Sequence, residues 1–258
     1  MRQSENKFYH RKKFDNLVFG RQPVLELLNS ERPVDKIILQ NGIAADVISE
    51  IKKLAYQKNI PVKNVPVEKL NTLTGGVHQG IIAFTSEIEF ENIEDVLPHV
   101  IEQGKTPLLL VLDGITDVRN FGAIARTAYA AGADAILIST HDAAPANAEA
   151  MKASAGALAK ITVCREKDFH HTFEFLQLNG LQIIGTDSNA ETVCSAADFT
   201  VPVAIVLGSE EDGINSNLRK YISINIQLPM LRKFDSYNVS VSAGMVLYEV
   251  MRQRISSK

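Results

Sequence analysis

The chain has 258 residues, of which 45% are hydrophobic and 22% are charged, and its formal net charge is -3 at pH 7. This composition predicts a globular protein with a core in one domain or two, and the slightly acidic balance argues against a protein that coats nucleic acid. No apolar run is long enough to span a bilayer, and the N-terminal stretch lacks the apolar segment of a signal peptide, so we predict a cytoplasmic protein without membrane contact.

Two cysteines, Cys164 and Cys194, occur in no CxxC pattern and have no histidine at ligand spacing. A metal site and a disulfide framework are therefore not expected, and both residues are predicted to be buried thiols.

The first 21 residues are rich in basic side chains, against only Glu5 and Asp15. Such an arm is usually solvated, and phosphate binding is the more specific alternative. The basic residues are Arg2, Lys7, Arg11, Lys12, Lys13 and Arg21.

The pattern from residue 18 to residue 86 predicts a small α/β domain. Helices are expected at 18–28, 45–58 and 66–74, and strands at 35–40, 60–65 and 80–86. The acidic segment 87–106 ends in Gly104 and Pro107, and we interpret it as a linker with one short helix. The predicted domains are therefore 1–86, with the basic arm, and 107–258.

The second half contains nearly continuous apolar runs separated by helical segments. The predicted strands are 108–113, 135–139, 160–164, 181–186, 203–208 and 222–228, and helices include 122–133 and 168–179. Such runs are typical of parallel strands covered on both faces, so the fold class is α/β with a doubly wound parallel sheet. Ligands bind beyond the carboxyl ends of the strands in such sheets.

The loop after the first of these strands reads "GITDVRNFGAIARTA". Gly114 and Gly122 lie eight residues apart, so the dinucleotide fingerprint GxGxxG is absent. Asn120 is placed to cap the following helix. Arg126 lies within that helix and is expected to face a carboxylate, a phosphate or the cleft, and a structural ion pair is an equally open reading.

Two later loops also carry polar residues. Gly208 permits close approach at a strand end, and Glu210 follows it, where the capping of a helix is the simpler explanation. In "SYNVSVSAG", Ser236 and Asn238 alternate with apolar residues, which fits one face of a strand or the start of a helix; the apolar spacing beyond favours the helix. The histidines lie outside these three loops, so no Cys–His or Ser–His pair is predicted there.

Together the three loops resemble the signature motifs of the SpoU branch of the SPOUT superfamily, RNA ribose 2′-O-methyltransferases. The matching stretches are "NFGAIARTAYAAGA", "VLGSEEDGI" and "LPMLRKFDSYNVSVSAG", with "KASAGAL" between the first two. In the first half, "VFGRQPVLELL" and "GGVHQGIIA" resemble the RNA-binding domain of the subgroup that methylates a guanosine of 23S ribosomal RNA.

The resemblance implies a deep trefoil knot in the parallel sheet, a homodimer and S-adenosylmethionine as cofactor. It also implies the site residues. The cofactor contacts would be Gly208, Leu228 and Tyr237, and the catalytic set would be Asn120, Arg126, Glu210, Ser236 and Asn238. The RNA contacts expected from the basic charge of the N-terminal arm are Arg21, Arg11, Lys12 and Lys13.

The chain departs from the family pattern at Arg232, where glycine is usual, and at Tyr237, where leucine is usual. A main-chain contact at Tyr237 does not depend on the side chain, and Arg232 would add an RNA phosphate contact. Arg126 is a poor base because a guanidinium stays protonated, so we expect it to hold the target phosphate and to stabilise the developing alkoxide.

Two other classes stay open at this point. The chain is alternatively a noncatalytic RNA-binding or ribosome assembly factor, or a nucleotide-binding α/β enzyme with coincidental loops. Within the family, transfer RNA is the alternative substrate to ribosomal RNA.

Overall fold

A computed structural model describes residues 16–232 and 234–256. Within that range the chain forms two α/β units, each with its own sheet. Three of the predicted RNA contacts, Arg11, Lys12 and Lys13, lie outside the described residues. No helix in the described range is long and apolar enough to cross a membrane.

The N-terminal unit is a four-stranded sheet with three helices. Its strands are β1 (Leu17–Phe19), β2 (Val34–Gln40), β3 (Val62–Val65) and β4 (Ile81–Thr85), and its helices are α1 (Arg21–Asn29), α2 (Ala45–Gln57) and α3 (Val67–Leu73). In the described residues the strand order is β1-β4-β2-β3, with β2 and β3 parallel and β4 antiparallel to both neighbours.

The predicted helix at 18–28 is wrong at its start. Val18 and Phe19 belong to β1, and α1 begins only at Arg21. Gly20 separates the two elements with φ 95°, a conformation that glycine adopts without strain. Gly76 lies against β1, since a Cβ there would lie 2.5 Å from the Phe19 ring.

The segment between the two sheets contains α4 (Ile93–Glu102), as predicted. Ile93 and Leu97 of this helix are buried in one cluster with Leu109 and Val111 of the second sheet. The helix thus packs on the second unit, although the domain boundaries drawn from the sequence stay a prediction.

The C-terminal unit is built on a seven-stranded parallel sheet, counted over the described residues, in the order β7-β6-β5-β10-β8-β11-β9. The strands are β5 (Leu108–Leu112), β6 (Ala135–Ser139), β7 (Thr162–Glu166), β8 (Gln182–Thr186), β9 (Thr192–Val193), β10 (Val203–Leu207) and β11 (Ile224–Gln227). The predicted parallel sheet is confirmed; β9 was not predicted. The passage of the C-terminal segment through a knot stays a prediction.

Helices cover both faces of this sheet. On one face lie α5 (Val118–Ala130) and α8 (Val239–Ser256), together with the short α6 (Ala148–Ala153), and on the other lie α4 and α7 (Phe169–Leu178). Gly122 of α5 allows close contact with α6, because a Cβ there would lie 2.5 Å from the Cβ of Ala153. Cys164 and Cys194 are buried free thiols, as expected.

Candidate functional site

Three loops meet at the carboxyl edge of the parallel sheet, as the strand pattern predicted. The first follows β5, the second follows β10, and the third joins β11 to α8. The carboxylate of Glu210, in the second loop, connects all three: its Oε1 accepts hydrogen bonds from Nδ2 of Asn120 at 3.2 Å and from Nδ2 of Asn238 at 2.8 Å. Asn238 Nδ2 also donates to Asn120 Oδ1 at 3.0 Å.

Asn238 has a second role as the cap of α8. Its Oδ1 accepts hydrogen bonds from the amide of Ser240 at 3.0 Å and from the Ser240 hydroxyl at 2.6 Å, and the amide of Val241 lies at 3.4 Å. The stretch "SYNVSVSAG" is therefore a helix start rather than a strand, and the helix interpretation is confirmed. The same side chain orients Glu210 and caps the helix.

The prediction that Asn120 caps α5 is wrong. Asp117 is the cap residue, and its Oδ1 accepts hydrogen bonds from the amides of Arg119 at 2.9 Å and Asn120 at 2.8 Å. Because Asp117 caps the helix, the side-chain amide of Asn120 is available to donate a hydrogen bond to Glu210. An aspartate directly before the helical run was the sequence signal for this cap.

Glu210 does not lie at a helix N-terminus either. The chain after β10 forms a tight turn in which Ser209 and Gly213 exchange two backbone hydrogen bonds, each 3.1 Å long. Gly208 is required here, since a Cβ would lie 2.1 Å from the carbonyl carbon of Gly213. The predicted close approach at Gly208 is confirmed, and the approaching group is the backbone.

The carboxylate of Asp113, directly after β5, stabilises the C-terminal end of this turn. Its Oδ2 accepts a hydrogen bond from the amide of Asn215 at 2.7 Å. Burial raises the pKa of Asp113 above its ordinary value, and the hydrogen bond from Asn215 opposes that rise. The first and second loops are thus joined at two points.

A cavity of about 350 Å³ lies beside this network. The three predicted cofactor residues, Gly208, Leu228 and Tyr237, all line it, and so does Ser236. The Tyr237 hydroxyl donates to the carbonyl oxygen of Pro229 at 3.2 Å, which links the two ends of the third loop. The structure therefore brings these four residues together.

The wall of this cavity also includes a loop that the sequence analysis did not select. Asp187, Ser188 and Asn189 follow β8 and line the cavity. The signal was present, since "DSN" is a polar stretch directly after an apolar strand in a sheet whose ligands bind at strand ends.

A larger open cleft of about 1070 Å³ lies on the other side of the Glu210 loop. Asn120 and Glu210 line it, together with Lys167. His141 and His170 also line it. The histidines do lie outside the three loops, as predicted, but these two border the same cleft.

Arg126 is not among the residues that line either cavity. Its side chain is exposed on α5 and makes no hydrogen bond or ion pair with any residue that the structure describes. Of the alternatives open for Arg126, the ion pair within the chain is therefore not found among the described residues, and the phosphate contact stays a prediction. Arg21, at the start of α1, and Arg232, in the third loop, are also exposed.

A parallel sheet whose carboxyl edge holds a cavity, an Asn–Glu–Asn network and an open cleft has the arrangement of a ligand-binding site in the α/β class. The model of the SpoU rRNA methylase family matches residues 107–248, and the model of the RNA 2′-O ribose methyltransferase substrate-binding domain matches residues 17–91. The chain belongs to the SpoU rRNA methylase family and is an RNA methyltransferase of that family.

Relatives and solved structures agree with this membership. A TrmH family tRNA/rRNA methyltransferase of Staphylococcus saprophyticus is 34% identical over 92% of this chain and 96% of its own length. The SpoU methyltransferase AviRb from Streptomyces viridochromogenes, solved in complex with AdoMet, superposes with a TM-score of 0.60 at 21% identity, covering 93% of this chain and 90% of that one. The A. aeolicus TrmH/SpoU tRNA modifying enzyme has a TM-score of 0.54 at 26% identity, covering 64% of this chain and 85% of that one.

Proposed function

We propose that this protein transfers a methyl group from S-adenosylmethionine to the 2′-hydroxyl of a ribose, a guanosine ribose of 23S ribosomal RNA. The observation that carries the proposal is the junction of Asn120, Glu210 and Asn238 directly beside the cavity lined by Gly208, Leu228 and Tyr237. The cavity and the open cleft share the Glu210 loop as a wall, so a cofactor and an RNA nucleotide are able to approach from opposite sides.

The residues of the smaller cavity fit S-adenosylmethionine. Leu228, Met230 and Val246 provide apolar surface suited to a flat base, and the backbone at Gly208 is free of a side chain. Asp187 provides a carboxylate at the same wall, suited to hydroxyl or ammonium groups. When bound, this cofactor supplies an electrophilic methyl group on a sulfonium centre.

The chain itself contributes alignment and charge stabilisation. Glu210 fixes the amides of Asn120 and Asn238, which orient the target ribose at the loop junction. Ser236 is exposed at the cavity wall, and we assign its hydroxyl to a contact with the target ribose. Arg126 holds the target phosphate and stabilises the developing alkoxide, since its guanidinium keeps its charge.

Arg126 performs this role across a homodimer. Its side chain is exposed on α5, which packs with α8 in one hydrophobic cluster, and α8 exposes large apolar side chains at helical spacing: Val241, Met245, Tyr248 and Ile255. On α5 the side chain of Tyr129 is 46% exposed and extends this surface. A second copy would cover the stripe and bring Arg126 towards the site of its partner.

The N-terminal domain favours ribosomal over transfer RNA. Residues 17–91 match the substrate-binding domain model, and the tRNA modifying enzyme of A. aeolicus aligns with only 64% of this chain. A second RNA-binding unit supplies phosphate contacts that position a large substrate. Arg21 is the described residue that we assign to such contacts, and Arg11, Lys12 and Lys13 extend the set in the basic arm.

The C-terminal segment is further proposed to pass through the sheet as a deep trefoil knot. In the described sheet β11 lies between β8 and β9, and α8 crosses back onto α5. This exception to unknotted topology gathers the second and third loops around one cavity.

The test has two parts. Titration calorimetry with S-adenosylmethionine should show binding, and 2′-O-methylation mapping of ribosomal RNA from a strain that lacks the protein should show one missing guanosine methylation. A missing methylation in transfer RNA instead would favour the alternative substrate. Absence of cofactor binding would favour a noncatalytic RNA-binding or assembly factor.

A further inference from the structure

A buried ion pair connects the two domains. Arg165, in β7 of the methyltransferase domain, places Nη2 3.3 Å from Oδ1 of Asp35, in β2 of the N-terminal domain. Its Nη1 donates to the carbonyl oxygen of Val34 at 3.2 Å. The side chains of Arg165 and Asp35 are only 4% and 10% exposed, so water does not screen this contact.

The connecting segment joins the same contact. Phe90 belongs to the segment that connects β4 to α4. The guanidinium carbon of Arg165 lies 3.3 Å from the centroid of the Phe90 ring. This stacking arrangement suits the planar guanidinium and not an ammonium group. One side chain therefore touches the N-terminal domain, the connection and the second sheet.

A second inter-domain contact lies two residues further along. Lys167 Nζ donates to the carbonyl oxygen of Tyr56, at the end of α2, at 2.9 Å, and lies 4.0 Å from the centroid of the Tyr56 ring. Lys167 also lines the open cleft with Asn120 and Glu210. The domain junction is thus part of the wall of the cleft that leads to the site.

The ion pair contributes little to the free energy of unfolding. Burial raises the pKa of Asp35, and burial lowers the pKa of Arg165 to about 10, although each group faces an opposite charge. Desolvation therefore outweighs the attraction within the pair, as is common for buried ion pairs. A misaligned junction, however, would leave two buried charges without partners, so the pair penalises other orientations of the domains.

We propose that Arg165 and Asp35 are positioning residues that hold the N-terminal domain in one orientation, so that RNA bound there is presented at a fixed distance from Asn120 and Glu210. The inference rests on the proposed function. It assigns the pair to substrate placement rather than to methyl transfer or to cofactor binding.

The decisive variant is the full-length double substitution Asp35→Leu with Arg165→Met. It replaces both charges by apolar groups of similar size, so folding is expected to persist. The unfolding temperature is expected to be somewhat lower, because the amide of Ala146 loses its partner Asp35 and the carbonyl of Val34 loses its partner Arg165. The dissociation constant for S-adenosylmethionine should stay within about twofold, whereas KM for the RNA should rise about tenfold or more, with kcat at saturating RNA nearly unchanged. Small-angle scattering should show a broader distance distribution between the domains.

Two further variants complete the design. Lys105→Met breaks the Lys105–Asp134 pair, which joins the connecting segment to the methyltransferase domain away from the junction with the N-terminal domain; the Lys105 side chain is 55% exposed, and KM and scattering should stay unchanged. Arg165→Lys keeps the positive charge but loses the second Nη donor and the stacking of the guanidinium on Phe90. The rise in KM for RNA should therefore be smaller than in the double variant. If the double variant unfolds, Arg165→Lys decides the question against the original protein: a rise in KM for RNA with unchanged cofactor affinity supports the proposal, and an unchanged KM overturns it.

The proposal is overturned if the double variant keeps the original KM for RNA, whatever its scattering, or if KM rises while the domain distances do not broaden. Failure of the proposed function is a separate outcome. If the original protein methylates no RNA, the scattering comparison still reports whether the pair holds the domains.

Discussion

Adding one methyl group at Gly208 is predicted to lower the affinity for the cofactor. In a Gly208→Ala variant the new Cβ would lie 2.1 Å from the carbonyl carbon of Gly213 and 2.3 Å from the amide nitrogen of Ile214. Carbon atoms in contact prefer about 3.5–4.0 Å, so the turn after β10 must shift by more than 1 Å, at a strain of about 1–3 kcal/mol. If this strain falls on the cofactor-binding conformation, affinity should fall about 5- to 150-fold.

The assay is calorimetric titration of S-adenosylmethionine into the folded variant. Gly244→Ala is the matched control, because a Cβ at this position in α8 would lie 3.8 Å from Thr127 Cγ2, an ordinary contact. Alanine in a helix interior is expected to stabilise by about 0.5–1 kcal/mol. Equal cofactor affinity for the Gly208→Ala variant and the original protein would refute the assignment of this turn to the cofactor site.

Four further outcomes are expected. Arg126→Ala should lower the methylation rate by orders of magnitude with cofactor affinity unchanged, and near-normal turnover would remove Arg126 from the site. Arg21→Ala should flatten the log–log salt dependence of RNA binding by about 0.7–0.9 if it contacts one phosphate; an unchanged slope would contradict this. Tyr248→Glu should give monomers by sedimentation at micromolar concentration, whereas Tyr56→Glu, at a similarly exposed tyrosine, should not. Asn238→Ala should lower the free energy of unfolding by about 0.5–2 kcal/mol and also slow turnover; a loss of stability without a loss of rate would limit Asn238 to capping.

The architecture of the second half was predictable because buried parallel strands appear in the sequence as continuous apolar runs. Five residues in a row are buried in each of β5 and β10, so neither strand shows alternation. Once the strands are parallel, their carboxyl ends lie at one edge, and the polar loops that follow must meet there. This reasoning predicted that the loops with Asn120, Glu210 and Asn238 lie at one edge of the sheet, and the family resemblance assigned the three residues to one site.

The same reasoning failed where two local explanations competed. Asn120 and Asp117 are both good capping residues, and only the backbone geometry shows that Asp117 caps α5. For Glu210, a strand end suggested a helix start, but the chain forms a closed turn between Ser209 and Gly213 instead. Local propensity does not distinguish these cases, because the turn is stabilised by Asp113 from a different strand.

Arg126 shows a different limit. A lone arginine in an apolar helix was expected to have a partner, and the described residues provide none. The expectation came from the cost of burying an unpaired arginine, whereas the Arg126 side chain is exposed on α5. In the homodimer that we propose, Arg126 would lie near an interface rather than in a core.

The contact between the two domains could not be predicted from the sequence pattern. Arg165 is the next-to-last residue of β7 and Asp35 is the second residue of β2, and both positions would suit exposed charges. Their pairing joins residues 130 positions apart and depends on how two independently patterned sheets dock. Periodicity describes which face of an element is buried against its own sheet, but it carries no information about contacts between sheets. For that reason the residues that bring substrate to a site are harder to predict than those that line it, and a buried charge at a domain boundary is the structural feature that identifies them.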